Sequence, residues 1–387
     1  MLTGRKVTVL GAGIAGLTVA RAMALRGAEV TVLEQADAIR EVGAGLQISP
    51  NGVRVLKALG LGEAFAAVAP RGQAIELLDG PGGTRLVRMD LARGEYRFVH
   101  RARLIEVLAE GARAAGVQVR LLQDIRLVTL GAHPPRMTTA QGAEIEADLL
   151  IGADGLHSQV RKALNGAVAP FFTHQVAWRA VIAAEPEPEA VAQVFVGPGR
   201  HLVSYPLGGG LRNIVAVEER RHWVEESWSL KDDPLTLRTA FGKFCPKVRA
   251  WLDQVEEPGL WGLFRHPVAA RWHGHGAAIL GDAAHPTLPF LAQGAVMAME
   301  DAWVLAEKLT QHSNVEVAFA AYQSARAARC TRIVDAASRN ARAYHLSGFN
   351  RAVAHLGLRG INALAPSQLL SRFDWLHGYD VTGGQGR

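Results

Sequence analysis

Apolar positions along the first third of the chain follow two alternating rhythms. Val7–Leu10 is a short β-branched run that ends in glycines. Ile14–Leu25 repeats its apolar residues at helical spacing, and Glu29–Leu33 returns to a short β-branched run. The outer two predict buried strands and the middle one a helix, together a βαβ unit. A second helix is expected over Asn51–Leu59, after the loop Gly43-Ala-Gly-Leu-Gln-Ile-Ser-Pro50. Residues 72–98 read as strands around a Gly-rich turn at Gly80–Gly83, Arg103–Ala115 as a helix and Asp148–Ile151 as a buried strand.

From Val176 to Val217 the pattern becomes β-rich, with turns at Gly197–Gly199 and Gly208–Gly210, which predicts an antiparallel sheet. The earlier rhythm resumes with a strand at Gly276–Leu280 and a long helix over Gln293–Leu309. From Val315 onward the chain is mostly helical and Arg-rich, closing on Phe373-Asp-Trp-Leu-His377 and a Gly-rich tail expected to be disordered. No repeat or low-complexity linker stands out. The expectation is an α/β fold in which a discontinuous Rossmann-like nucleotide-binding domain is interrupted by an antiparallel sheet domain and followed by C-terminal helices. Ligands would meet between the two domains.

Composition narrows the possibilities. A chain of 387 residues, 49% hydrophobic, can bury a large ligand. Cys245 and Cys330 are the only cysteines and lie far apart, which argues against a disulfide framework and for a reducing, cytoplasmic setting. The formal charge of +6 raises the question of a nucleic acid. Only seven of the 42 basic residues are Lys, however, and the Arg are scattered among acids without a basic run. Such a surplus suits a pyrophosphate, a nicotinamide dinucleotide or a carboxylate substrate equally well, so no nucleic acid is expected. Arg5 and Lys6 before an apolar stretch imitate a signal peptide, but the glycines that follow favour a strand and a helix. The longest later apolar run, around Ala283–Met299, contains His285, two prolines and Gln293, so no membrane span is expected.

Three motifs carry candidate chemistry. Gly11-Ala-Gly13-Ile-Ala15-Gly16 suits a strand-to-helix turn at which a side chain would obstruct a pyrophosphate, leaving backbone N–H groups and a helix dipole to meet the charge. Glu34, eighteen residues past Gly16, stands where a carboxylate can accept from a ribose diol. This motif alone does not distinguish FAD from NAD. The second, Ile151-Gly-Ala-Asp154-Gly155-Leu-His-Ser158-Gln-Val-Arg161, puts an acid and a glycine at another such turn, where Asp154 could equally be a helix cap. The third is Leu280-Gly281-Asp282-Ala-Ala-His285-Pro286, followed by Gln293-Gly294-Ala295 and Glu300-Asp301. His285 reads as readily as backbone support as it does as chemistry. His273-x-His275 lacks a third ligand at supportive spacing, so no metal is expected.

In this order and at roughly these distances, the three motifs resemble those of the class A flavoprotein monooxygenases, notably salicylate hydroxylase and 3-hydroxybenzoate 6-hydroxylase types. The resemblance runs from Lys6 to about Asp380 and includes Val99-His-Arg101 and Asp374-Trp375. It implies FAD as bound cofactor and NADH or NADPH as a transient co-substrate, with no second nucleotide fold to hold it. It implies that Asp282 binds ribityl or ribose hydroxyls and Arg101 the pyrophosphate region, while Asp154 and Gly155 serve both flavin and nicotinamide. Gly281 belongs to the same motif as Asp282, and Gly45 to the expected cofactor contacts. Gly294 and Ala295 would aim backbone N–H groups at the flavin's pyrimidine edge, favouring negative charge on reduced flavin. The implied domains are 1–71, 98–165 and 272–312 for FAD, 72–97 and 166–271 for substrate, and a helical region 313–387.

On the substrate side, His201-Leu-Val-Ser-Tyr205-Pro206 puts two titratable rings on one face of a strand. The segment is similar to the His-x-x-x-Tyr-Pro of bacterial hydroxylases acting on hydroxybenzoates and hydroxynicotinate, where these side chains orient the substrate and help ionise its hydroxyl. A phenolate is more electron-rich than a phenol, and a His near neutrality is a suitable base. The bland alternative is a half-buried Tyr and a surface His. Gln47 and Gln293 are further candidates for substrate contact, against a reading as polar surface. The reaction implied is hydroxylation of a small phenolic or hydroxy-aromatic acid by O2 through a C4a-hydroperoxyflavin, in a monomer or homodimer. Rivals are the same family acting on urate or an isoprenoid-like molecule, a flavin oxidase and a non-catalytic FAD-binding protein.

Overall fold

The computed structural model describes residues 2–39, 45–92, 94–131, 134–221, 231–364 and 371–383. Gly43 and Ala44 of the first glycine loop, and 384–387 of the tail, lie outside the described residues. The chain opens with β1 (Lys6–Leu10), α1 (Ile14–Ala24) and β2 (Glu29–Leu33). This is the expected βαβ unit, with β1 and β2 parallel. Next come β3 (Gly45–Ile48), α2 (Pro50–Ala58), α3 (Gly62–Val68), β4 (Ala74–Asp79), β5 (Arg85–Asp90), β6 (Arg97–His100), α4 (Arg101–Ala114) and β7 (Gln118–Arg120). Three strands that the apolar pattern does not reveal, β8 (Ile125–Thr129), β9 (Arg136–Thr139) and β10 (Glu144–Glu146), form a small antiparallel sheet of their own. Short, solvated strands leave too few buried positions to mark a period.

β11 (Leu149–Gly152) and α5 (Gln159–Asn165) precede the β-rich stretch of β12 (Phe171–Ala183), β13 (Val191–Gly197), β14 (Arg200–Gly208) and β15 (Leu211–Glu219). Two helices also missed by the apolar pattern, α6 (Pro234–Ala240) and α7 (Pro246–Asp253), each start on a proline at the first helical position, which fixes φ where no donor is needed. β16 (Gly259–Arg265), β17 (His273–Gly274), β18 (Ala277–Ile279), α8 (Gly294–Gln311), α9 (Val315–Tyr344), α10 (Gly348–Leu364) and α11 (Asp374–His377) complete the chain.

One sheet has the order β17-β18-β11-β1-β2-β7, parallel apart from β17. All four residues of β11 are buried, as expected of a parallel strand covered on both sides. The second sheet has the order β16-β12-β15-β14-β13-β4-β5. Its strand neighbours are antiparallel except β13 and β4, which are parallel because the chain crosses the first domain between them. One face of this sheet, with Trp178, Phe195, Leu202 and Ile214, packs on Phe241, just past α6, and on Trp251 of α7. Phe195 and Phe241 are almost wholly removed from water, contributing roughly 1.5–3 kcal/mol each. The opposite face turns to the first domain and the C-terminal helices. The expected α/β fold, a discontinuous Rossmann-like domain with an inserted sheet and C-terminal helices, is therefore the observed one.

Three arginines bond to the protein's own backbone. Arg161 donates to the carbonyls of Ala283, Ala284 and Pro267, Arg329 to those of Trp375 and Leu376, and Arg54 to those of His377 and Tyr379. These bonds satisfy otherwise orphaned loop and helix-end carbonyls. Among the described residues no helix is long and apolar enough to cross a membrane.

Candidate active site

The first part of the site lies where β1 and β11 end. Gly11 has φ +95°, and a Cβ there would sit 2.5 Å from the carbonyl oxygen of Ala153; a Cβ on Gly16 would sit 1.9 Å from that of Gly11. Both glycines are demanded by the protein's own backbone. Gly13 differs, since a Cβ there would meet nothing within 4 Å. Its glycine keeps open the space in front of α1, whose N-terminus has no side-chain cap, so the first-turn N–H groups stay available to an anion. Glu34 braces the turn, accepting from the N–H of Ala12 at 2.7 Å and of Ala36 at 3.0 Å. Ala15 packs on the far wall, where a Cβ on Gly281 would approach its own Cβ at 3.1 Å.

Asp154 answers both readings of the second motif. One oxygen, Oδ2, accepts from the N–H of Gln159 at 2.7 Å and, more weakly, from that of Val160 at 3.4 Å, while Ser158 is the N-cap proper. The other, Oδ1, is buried without a hydrogen-bond partner. Burial raises the Asp154 pKa above the usual carboxylate range, against the pull of Ser158 and the backbone N–H groups. Such an orphan acceptor is free to meet a ligand hydroxyl or N–H. Gly155 follows with φ +71°, a turn that favours glycine.

Asp282 lies deep among protein groups, which raises its pKa despite the opposing influence of His285 and Arg101, yet its side chain is exposed to the cleft. Arg101, the first residue of α4, is lowered to about 10 by burial and by Arg179, against the support of Asp282. At the cleft's far side Ala292 takes a left-handed φ of 53°, unusual for a non-glycine residue, and turns the chain into α8. Gln293 caps α8 without a side-chain bond to its N–H groups, leaving those of the Gly294–Ala295 turn available. An orphaned carboxylate oxygen, an open glycine and two uncapped helix ends fit a dinucleotide bearing both pyrophosphate and hydroxyls.

His285 resolves as support. Its Nε2 lies 2.5 Å from Oδ2 of Asp301, which also accepts from the Gly281 N–H at 3.1 Å. The other oxygen of Asp301 accepts from Nε of Arg326 at 2.8 Å. Burial opposes a charge on His285, but Cys330 and Asp301 outweigh it and hold the ring well above the usual imidazole range. Burial works against the charge on Asp301 too, but His285 and Arg326 overcome it and hold Asp301 down at about 2. This sealed cluster ties the Gly281–Asp282 turn to α8. Of its three potential metal ligands, His285, Asp301 and Cys330, Asp301 and Cys330 already meet the guanidinium of Arg326, and His285 meets Asp301. His273 instead meets Glu316, at 3.3 Å.

Two expected site residues are held by the protein's own groups. Gln293 is 1% exposed, with Oε1 accepting from Asn51 at 3.2 Å and Nε2 donating to Ser49 at 2.9 Å. It pins α8 to α2, and its amide is not offered to a substrate. Gly45 was expected to approach the cofactor, yet its N–H donates to Oδ1 of Asn213 at 2.7 Å and a Cβ there would sit 2.7 Å from Leu207. It is glycine because β3 presses on the sheet domain.

His201 and Tyr205 do share the sheet face that turns toward the first domain, but neither matches a surface His or a half-buried Tyr: they are 1% and 3% exposed. At strand rise the two backbones stand about 13 Å apart, and their surroundings differ. His201 packs against Phe290 and Tyr344, with ring centroids 5.0 and 5.2 Å away. Tyr205 packs against Phe98 at 5.1 Å. Gln47 joins the Tyr205 end, accepting from the hydroxyl of Tyr96 at 2.9 Å. Burial, with His345 beside it, lowers the pKa of His201 well below the usual imidazole value, so the ring is neutral at pH 7. Burial drives the Tyr205 hydroxyl far above its ordinary value despite Arg179, so it stays protonated.

Arg179 on β12 was not anticipated. It lies on the same face, its guanidinium 5.3 Å from the Trp261 ring centroid. Its Nε is buried without a partner, and among the described residues no carboxylate pairs with it. Desolvation lowers its pKa. A single charge inside the apolar run Val176-Ala-Trp-Arg-Ala-Val-Ile is the signal that could have revealed it.

Comparison with known proteins decides the family. The profile described as "FAD binding domain" matches residues 5–337. The chain is 34% identical to 3-hydroxybenzoate 6-hydroxylase of Polaromonas naphthalenivorans (strain CJ2), covering 97% of this chain and 96% of that one. This chain belongs to the class A flavoprotein monooxygenase family. It binds FAD. This flavoprotein is also 34% identical to 3-amino-4-hydroxybenzoate 2-monooxygenase of Streptomyces cremeus, over 88% of each chain. A solved salicylate hydroxylase substrate complex superposes with a TM-score of 0.82 over 98% of this chain and 96% of that one, at 23% identity, which is a likeness of fold.

Proposed function

We propose that this flavoprotein hydroxylates a small phenolic or hydroxy-aromatic acid, with NADH or NADPH and O2 as co-substrates. One observation carries the choice of substrate: on a single sheet face, the buried guanidinium of Arg179 without a carboxylate accompanies a neutral buried imidazole, His201, and a protonated phenol, Tyr205. An uncompensated buried cation is expensive, and an anionic ligand offsets that cost. A ring bearing a carboxylate and a hydroxyl supplies the anion to Arg179 and the hydroxyl to His201. The relatives named for hydroxybenzoates support the same class.

The chemistry that FAD supplies when bound is acceptance of a hydride from the nicotinamide and transfer of one oxygen atom from O2 to the ring. The protein's own residues prepare the ring. His201 accepts the proton of the substrate hydroxyl, enriching the ortho and para carbons in electron density. Tyr205 remains a donor and orients the substrate; Gln47, held by Tyr96, lines the same end. Phe98, Phe290 and Tyr344 exclude water from the reacting ring.

The test is a screen of salicylate, 3- and 4-hydroxybenzoate, 6-hydroxynicotinate and urate with FAD-loaded protein, recording substrate-stimulated NADH oxidation and product mass. A hydroxybenzoate or hydroxynicotinate should stimulate oxidation and gain one oxygen atom. Stimulation by urate alone would overturn the choice of an acid, and stimulation by none of the five would overturn the proposed reaction.

A further inference from the structure

One ring nitrogen of His201 begins a line of hydrogen bonds toward the surface. Nδ1 of His201 is 2.7 Å from Nε2 of His345, the C-cap residue just past α9, and Nδ1 of His345 is 2.8 Å from Oε1 of Glu219 at the end of β15. His201 is 1% exposed and the His345 side chain 2%, whereas that of Glu219 is 53% exposed. The three groups make one hydrogen-bonded line from the interior to solvent. The turn between β13 and β14 fixes its middle, since the N–H of Gly199 donates to the carbonyl of His345 at 3.2 Å. Phe290 and Tyr344 hold the His201 ring in its plane.

The line has a direction. An ionised Glu219 only accepts, so His345 must donate to it through Nδ1–H. A neutral His345 then has an accepting Nε2, so His201 must donate through Nδ1–H. This leaves Nε2 of His201 with its lone pair, and no protein group among the described residues takes it. Both rings favour the neutral form: burial lowers each, His345 acts on His201, and Arg200 works against charge on His345 while Glu219 works for it. Arg200 is itself paired with Glu218 at 3.1 Å.

We propose that His345 and Glu219 set the tautomer that makes His201 Nε2 a base and carry the abstracted proton out to solvent. The proposal rests on the function argued above. The substrate O–H bond breaks as a proton bonds to His201 Nε2. The His201 Nδ1–H bond breaks as a bond forms at His345 Nε2, and the His345 Nδ1–H bond breaks as Glu219 Oε1 gains the proton, which then passes to water. The electron pair of the broken O–H bond stays on the substrate oxygen, and neither imidazole keeps a charge. His345 and Glu219 are thus positioning residues that act through His201.

The experiment uses oxidised, FAD-loaded enzyme and 3-hydroxy-4-nitrobenzoate, whose phenolate absorbs visible light, followed by stopped flow. Wild type should ionise the probe on binding. His345→Gln can still accept from His201 but cannot relay a proton. It should keep its flavin spectrum, bind the probe within about threefold of wild type and ionise it at least about tenfold more slowly, a modest share of what positioned proton transfer contributes. Glu219→Gln, a change at the surface, should slow ionisation in the same sense, and added imidazole should restore the rate of His345→Gly. Wild-type ionisation rates in both His345→Gln and Glu219→Gln would sink the relay alone. A wild type that binds the probe without ionising it would sink the relay and the role of His201 together.

Discussion

Asp301→Asn tests whether the buried charge cluster beneath the flavin cleft holds the site in shape. The substitution keeps the side chain's outline and removes its charge, leaving Arg326, with 0% side-chain exposure, facing Glu300 alone and His285 without its anion. Breaking a buried pair by neutralising one partner costs about 3–5 kcal/mol. At roughly 2.1 cal/mol/K of unfolding entropy per residue, the 387 residues give an entropy near 0.8 kcal/mol/K, so the midpoint should fall by about 4–6 °C. Because the lost acceptor also holds the Gly281 N–H, the Asp282 turn should loosen and FAD should bind more weakly. The pH dependence has a definite sign. Asp301, held at about 2, contributes stability that is present above the ordinary carboxylate value and lost as pH falls toward 2. His285, held above its ordinary value, contributes stability fully present below about 6.5 and lost as pH rises through its folded value. Thermal unfolding by near-UV circular dichroism, with flavin fluorescence to report release, measures both effects. A variant melting within about 1 °C of wild type, with unchanged FAD titration and an unchanged acid limb, would refute the reasoning.

Two further substitutions separate ligand space from backbone space. Gly13→Val should leave the apoprotein folded while abolishing measurable FAD binding, whereas Gly16→Val should unfold the first domain; equal effects in a flavin titration and a thermal melt would contradict the geometry. Arg179→Met should leave FAD binding intact and raise the KM for a hydroxy-aromatic acid by roughly 30-fold or more, as expected for losing a buried charge pair of about 2 kcal/mol or above. An unchanged KM on the true substrate would remove Arg179 from the substrate site.

The sequence by itself determined the parts of this protein whose causes are local. A turn that needs glycine at 11 and 16 is legible because the chain's own carbonyls forbid a Cβ there, and the alternation of β14 puts His201 and Tyr205 on one face wherever that strand packs. The order of the three motifs was enough for the family. Tertiary structure alone decided how the side chains are used. Gln293 stands beside Gly294 at the start of α8 in sequence, but Ser49 and Asn51, some 240 residues earlier, take both ends of its amide. Gly45 is fixed by Asn213 on another sheet. His345 reaches His201 across 144 residues, a contact without any periodic trace because it depends on where a helix of 30 residues happens to end. Periodicity reports which face of an element is buried. Hydrogen-bond partners are set by neighbours in space, and those exist only once the sheets and helices have closed on one another.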